Sequence, residues 1–143
     1  PFEHDKLPKY YIFGGVVFMP LTKNYLFEWG RSWLQKAPIR FIDIVKNGNF
    51  PNDEYTEMVF IQSVLADREN AGYEIAHILV TEVNGVKIDS FKTLVQTLEK
   101  TQQSDAKIIL QGGTKIILNK QKAQQANARL LQRYGIKNSS YLQ

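Results

Sequence analysis

The run Tyr10–Pro20, YYIFGGVVFMP, constrains this chain more than any other stretch. Its β-branched and aromatic residues favour a pleated, half-buried strand. Yet it carries two adjacent glycines near its middle and a proline at its end. Glycine inside a strand weakens it and marks a bulge, a bend or the close approach of another backbone. Pro20 has no N–H, so it ends the ladder on that side or blunts an edge against unwanted pairing. Two alternatives follow for Gly14 and Gly15: a bulge in a core strand, or a place where a foreign main chain docks. In the second, consecutive backbone amides over Tyr11, Ile12, Phe13 and Gly14 form a concave anion site for a terminal carboxylate. A peptide then adds as a strand beside Gly15, Val16 and Phe18, with no Cβ at the glycines to hold it off. Lys9 adds positive charge at the mouth.

The remaining elements follow from spacing. Leu21, Tyr25, Leu26, Trp29, Trp33 and Leu34 recur at helical intervals and predict a helix over Leu21–Leu34. Pro38 opens a second helix, Ile39–Lys46, which Gly48 closes. Met58–Leu65 and Ile75–Val83 read as strands, separated by the polar stretch Ala66–Glu74. Asn84-Gly85 joins the second of these to Val86–Ile88 as a hairpin, because both central residues of such a turn need positive φ. Asp89 or Ser90 caps a helix over Phe91–Thr101. Its apolar stripe is Phe91, Leu94, Val95 and Leu98, which is either core or the second wall of a peptide groove. Ala106–Leu110 and Thr114–Leu118 flank Gln111-Gly112-Gly113 as a further hairpin. Asn119 caps the last helix, Lys120–Tyr134, and Gly135 suits its left-handed end. The order predicts an α+β fold with a mainly antiparallel sheet.

The chain has 143 residues, enough for one domain with a real core. Residues 1–9 read as a linker, 10–136 as the domain and 137–143 as a tail. Because the first residue is Pro1, a piece of a longer protein is expected. There is no cysteine, which excludes disulfides, zinc–thiolate sites and cysteine nucleophiles. No run approaches the roughly 18 apolar residues of a membrane helix, and no stretch is laid out as a signal peptide. The charge is uneven. Residues 1–105 hold 11 Lys and Arg against 14 Asp and Glu, a balance of −3, whereas residues 106–143 hold seven basic residues and no acid. Such a basic segment is either a solvated helix face or a contact for nucleic acid or an acidic surface.

Candidate chemistry is sparse. Glu3, His4 and Asp5 form a metal trio on paper only, since a mobile terminus does not hold ligands in geometry. Asp53, Glu54 and Glu57 lack calcium-loop spacing, and no phosphate-binding glycine loop is present. No metal or cofactor is expected. His77 falls mid-strand and reads as a satisfied, partly buried side chain. Tyr25, Trp29 and Trp33 make an aromatic helix face, either packed on the sheet or exposed as a protein interface.

Two segments together resemble a known family. Ala71–Lys100, AGYEIAHILVTEVNGVKIDSFKTLVQTLEK, is similar to the second half of a PDZ domain from the Deg/HtrA serine proteases. There, a glycine-containing turn leads to a strand, an Asn-Gly-Val hairpin and a helix begun by a Ser-Phe-like cap. YYIFGGVVFMPL is similar to the carboxylate-binding loop and first groove strand. Its pairing with ARLLQRYGIKNSSYL points to the C-terminal PDZ-like domain of the protease Do-like subgroup. In two respects the chain departs from the pattern: Phe13 stands before Gly14-Gly15 where the loop is usually Gly-Φ-Gly-Φ, and a large insertion precedes Met58.

The resemblance implies a PDZ-like, partly open antiparallel barrel or sheet flanked by helices, with a helical insertion after the first strand. The family's His, Asp and Ser, the last in a Gly-Asn-Ser-Gly-Gly segment, have no counterpart here. The implied role is a non-catalytic regulatory or assembly domain that binds peptides, protein segments or neighbouring subunits. The implied parent is a trimer-based serine protease of a periplasmic or organellar compartment. Two alternatives stand beside it: a free-standing receptor for C-terminal peptides, and a nucleic-acid-binding domain using the basic C-terminal region.

Overall fold

A computed structural model of the chain describes residues 9–21, 58–65 and 75–142. The expected helices over Leu21–Leu34 and Ile39–Lys46 fall outside these residues, apart from Leu21 itself. So do the aromatic face of Tyr25, Trp29 and Trp33, and the acidic and histidine clusters at residues 3–5 and 53–57.

The stretch YYIFGGVVFMP is not one strand. It is a tight hairpin, β1 (Tyr10–Phe13) and β2 (Val16–Pro20), with Phe13 paired to Val16 across the turn. Gly14 has φ 59° and Gly15 φ 86°. Two successive positive φ values are what a two-residue hairpin turn needs to match the strand twist, and glycine adopts them without a steric penalty. The glycines therefore reverse the chain rather than interrupt a strand.

Among the described residues six further strands extend the sheet: β3 (Val59–Val64), β4 (Ile78–Val83), β5 (Val86–Lys87), β6 (Asp105–Leu110), β7 (Lys115–Asn119) and β8 (Ser140–Tyr141). Their order is β7-β6-β4-β3-β2-β1-β8, with β5 beside β4. Among the described residues every pairing is antiparallel, and the sheet does not close into a barrel. The register shifts between Val17 and Phe18 against β3, and between Val80 and Glu82 against β6. Each shift leaves one extra residue, Gln62 or Thr81, and such bulges bend and twist a sheet locally.

Helix α1 (Phe91–Lys100) begins at Ser90, whose side chain accepts from the Thr93 N–H. Of the two candidate caps, Ser90 is therefore the one used. Asp89 instead accepts from the Thr93 hydroxyl. Helix α2 (Lys120–Arg133) begins at Asn119, which accepts from the Lys122 N–H. At its far end Gly135 (φ 66°) donates to the Gln132 carbonyl and Ile136 to the Leu131 carbonyl. This paired closure satisfies carbonyls that the helix itself leaves open.

The main core joins Phe13, Val16, Phe18 and Ile61 of the sheet to Phe91, Leu94, Val95 and Leu98 of α1. Ile108, Ile116 and Leu118 extend it under β6 and β7. The opposite sheet face is also buried at Ile12, Met19, Phe60 and Leu79, as the alternation of side chains along a strand requires. The turn Asn84-Gly85 forms as expected, with φ 49° and 81°. Asn84 also ties this hairpin to its surroundings. Its backbone N–H donates to the Lys107 carbonyl at 2.9 Å, its Oδ1 accepts from the Lys107 N–H at 2.7 Å, and its Nδ2 donates to Thr101 Oγ1 at 3.0 Å.

His77 departs from expectation. It precedes β4 rather than lying within it, with φ 58°. Its ring stacks on Phe60 with centroids 6.5 Å apart, and burial lowers its pKa from 6.5.

Candidate protein-binding site

Tyr11, Ile12, Phe13, Gly14, Gly15, Val16 and Phe18 do come together, as one buried hairpin. Strand addition beside Gly15–Phe18, however, does not fit. β2 already has a neighbour on each side: β1, through Tyr11–Phe18, Ile12–Val17 and Phe13–Val16, and β3, through Val16–Val64 to Pro20–Val59. A strand offers two edges, and both are taken. Phe91, Leu94, Val95 and Leu98 are likewise buried within the same core as Phe13, Val16 and Phe18. That stripe is part of the buried core instead of forming the wall of an open cleft.

Hairpin tips usually lie at the surface, where water satisfies their polar groups. Here both glycines are buried, so protein must supply the partners. A Cβ built on Gly14 would lie 3.0 Å from the Ala123 Cβ and 3.3 Å from Leu118 Cδ1. Helix α2 therefore rests on the turn more closely than a side chain at position 14 would ordinarily permit, and Ala123 keeps its own side of the contact small. From the next turn of α2, Asn127 reaches the hairpin twice. Its Nδ2 donates to the Ile12 carbonyl at 2.9 Å, and its Oδ1 accepts from the Gly15 N–H at 3.3 Å. The Gly15 carbonyl accepts from the Leu65 N–H at 2.8 Å.

The outer edge of β1 is covered by the chain's own end. Tyr10 pairs with Tyr141 and Tyr11 with Ser140. The Ile12 N–H donates to the Ser139 carbonyl at 2.8 Å, and the Tyr10 hydroxyl to the Asn138 carbonyl at 2.8 Å. The stretch expected to be a tail thus contributes a strand. Tyr11 is buried, and that burial, helped by the negative charge of Glu99, pushes its pKa up to about 12. Its hydroxyl stays protonated across the ordinary pH range.

Sequence reasoning passed over Asn127. A signal was present: it lies four residues after Ala123 and three before Leu130, both buried, so it shares their helix face. A polar residue of low helix propensity on a buried face needs a partner.

An antiparallel sheet with a helix packed across it, a glycine turn and an Asn-Gly hairpin leading into a capped helix define a PDZ-type module. The chain belongs to the PDZ family: the family model described as PDZ domain matches residues 1–141. Among curated relatives, it is 30% identical over 139 residues to Protease Do-like 4, mitochondrial, of Arabidopsis thaliana, covering 96% of this chain and 24% of that protein. It is 32% identical over 138 residues to Putative protease Do-like 12, mitochondrial, of the same plant, again covering 96% and 24%. A more distant relative is the Serine protease DegP homolog of Plasmodium falciparum (isolate 3D7), 27% identical over 101 residues, 71% of this chain and 11% of that protein. The chain thus spans about a quarter of the length of the plant relatives it matches.

Proposed function

We propose that this chain is a non-catalytic regulatory and assembly domain of a Deg-type serine protease, acting by binding protein segments or neighbouring subunits. The observation that carries this is the PDZ match over residues 1–141, together with the similarity of the same residues to plant proteins named as Do-like proteases. The geometry of the hairpin favours assembly over free peptide capture, because the turn's Gly15 amide is spent on Asn127 and β2 has no open edge. Control of access to a protease domain elsewhere in the parent then comes from how this domain docks, with the aromatic segment of Tyr25, Trp29 and Trp33 as a proposed interface.

The test is light scattering and substrate cleavage on the parent protease, with and without residues 1–143. Loss of the higher assembly or a changed cleavage rate on removal supports the proposal. Unchanged assembly together with unchanged cleavage overturns it.

A further inference from the structure

We infer that the outer edge of β1 is the strand-addition site of this domain and that its own C-terminal segment, residues 138–141, is the resident occupant. The inference rests on the proposed protein-binding role and names where that binding takes place. Three observations carry it.

First, β1 offers its outward main-chain groups at Ile12, and both are met in cis. The N–H donates to the Ser139 carbonyl, and the carbonyl accepts from Asn127. Main-chain pairing of this kind is what an added strand supplies to a sheet edge. Second, the occupant is slight. β8 is two residues long and only half-buried, and Leu142 beside it is 45% exposed. Its described bonds to β1 are few, so it can leave without opening the core. Third, Asn127 fixes what can enter. At the glycine turn the edge presents one acceptor, the Ile12 carbonyl, and one donor, the Gly15 N–H. That pair matches an amide, which both gives and takes a hydrogen bond. A carboxylate only accepts and would face the Ile12 carbonyl unfavourably. With the amide of Asn127 already there, the edge takes an extended internal segment running antiparallel to β1 and excludes a free chain end at the turn.

The probe is a synthetic peptide of residues 137–142, acetylated and amidated, titrated into ¹⁵N-labelled protein at millimolar concentration. In a chain ended after Ile136, the amides of Tyr11 and Ile12 should shift saturably, while the intact chain should respond at least tenfold more weakly. Equal response of the two chains, or no response at Tyr11 and Ile12 in the shortened one, overturns the inference. Hydrogen exchange of the unaltered chain gives a second readout that needs no truncation. The Ile12 amide should exchange at least tenfold faster than the amides of Ile108 and Ile116, because the tail opens separately. Exchange of Ile12 only together with those core amides also overturns it. Neither readout involves the parent protease, so a failure here is distinct from a failure of the assembly role.

Discussion

At the scale of single residues, the glycine pair decides the hairpin, and the two glycine roles in this chain can be separated. Gly14 and Gly135 have similar φ values, 59° and 66°, but a Cβ on Gly135 meets nothing within 4 Å, whereas one on Gly14 meets Ala123 at 3.0 Å. Alanine at either position carries the left-handed backbone penalty of about 1–2 kcal/mol. Gly14→Ala should cost about 1–3 kcal/mol more than Gly135→Ala, the expense of overpacking against α2, as urea denaturation of the two variants will show. Tyr11 makes a prediction in alkali. Its folded pKa, about 12, lies above the ordinary value of 10.0, so its contribution to stability is complete below pH 10 and is lost as pH rises toward 12. Tyr11→Phe should show a smaller drop in urea midpoint between pH 9 and pH 11 than the unaltered chain. His77 acts at the other end. Burial lowers its pKa below 6.5, so stability is complete above that pH and falls as protonation is forced on the folded state. His77→Asn, which tolerates positive φ, should flatten the decline in urea midpoint between pH 7.5 and pH 5.

At the scale of elements, Asn84 shows how a local signal becomes a tertiary tie. Asn84→Gly keeps the positive φ but removes the side-chain bonds to Lys107 and Thr101. At about 0.5–1.5 kcal/mol for each hydrogen bond, the loss should come to about 1–3 kcal/mol, read as a fall in urea midpoint with an unchanged denaturant slope. Elements whose cause is local were legible in the sequence: the Asn84-Gly85 turn, the Asn119 cap, the Gly135 closure and the buried stripe of α1 each depend on residues within a few positions. The Tyr10–Pro20 run misled because its composition favours strand throughout, and composition does not say whether two central glycines bulge a strand or turn it back. His77 follows a related logic: Ile75–Val83 is apolar enough to read as one continuous strand, while the backbone at His77 is left-handed.

At the scale of the whole molecule, the antiparallel α+β class and most of the core could be read from periodicity, but the neighbours of each strand could not. β1 lies between β2 and β8, and β8 comes from the far end of the chain. Nothing in SSYL announces a strand, because its pairing is set by Tyr10 and Tyr11 some 130 positions earlier. The partners of the glycine turn were out of reach of the sequence for the same reason. A groove inferred from a glycine turn and a helical stripe assumes that the turn's amides are free, and α2 claims one of them through Asn127. Free peptide capture at the turn therefore depends on the state of one group, the Gly15 N–H, and the most direct test follows its resonance while a library of peptides with free C-terminal carboxylates is titrated into the intact chain. The Gly15 signal should stay in place, with its hydrogen exchange slowed by Asn127 and accelerated in Asn127→Ala, as expected where Asn127 holds that amide. A saturable shift of the Gly15 amide on adding such peptides to the unaltered chain would show instead that the turn receives a free chain end.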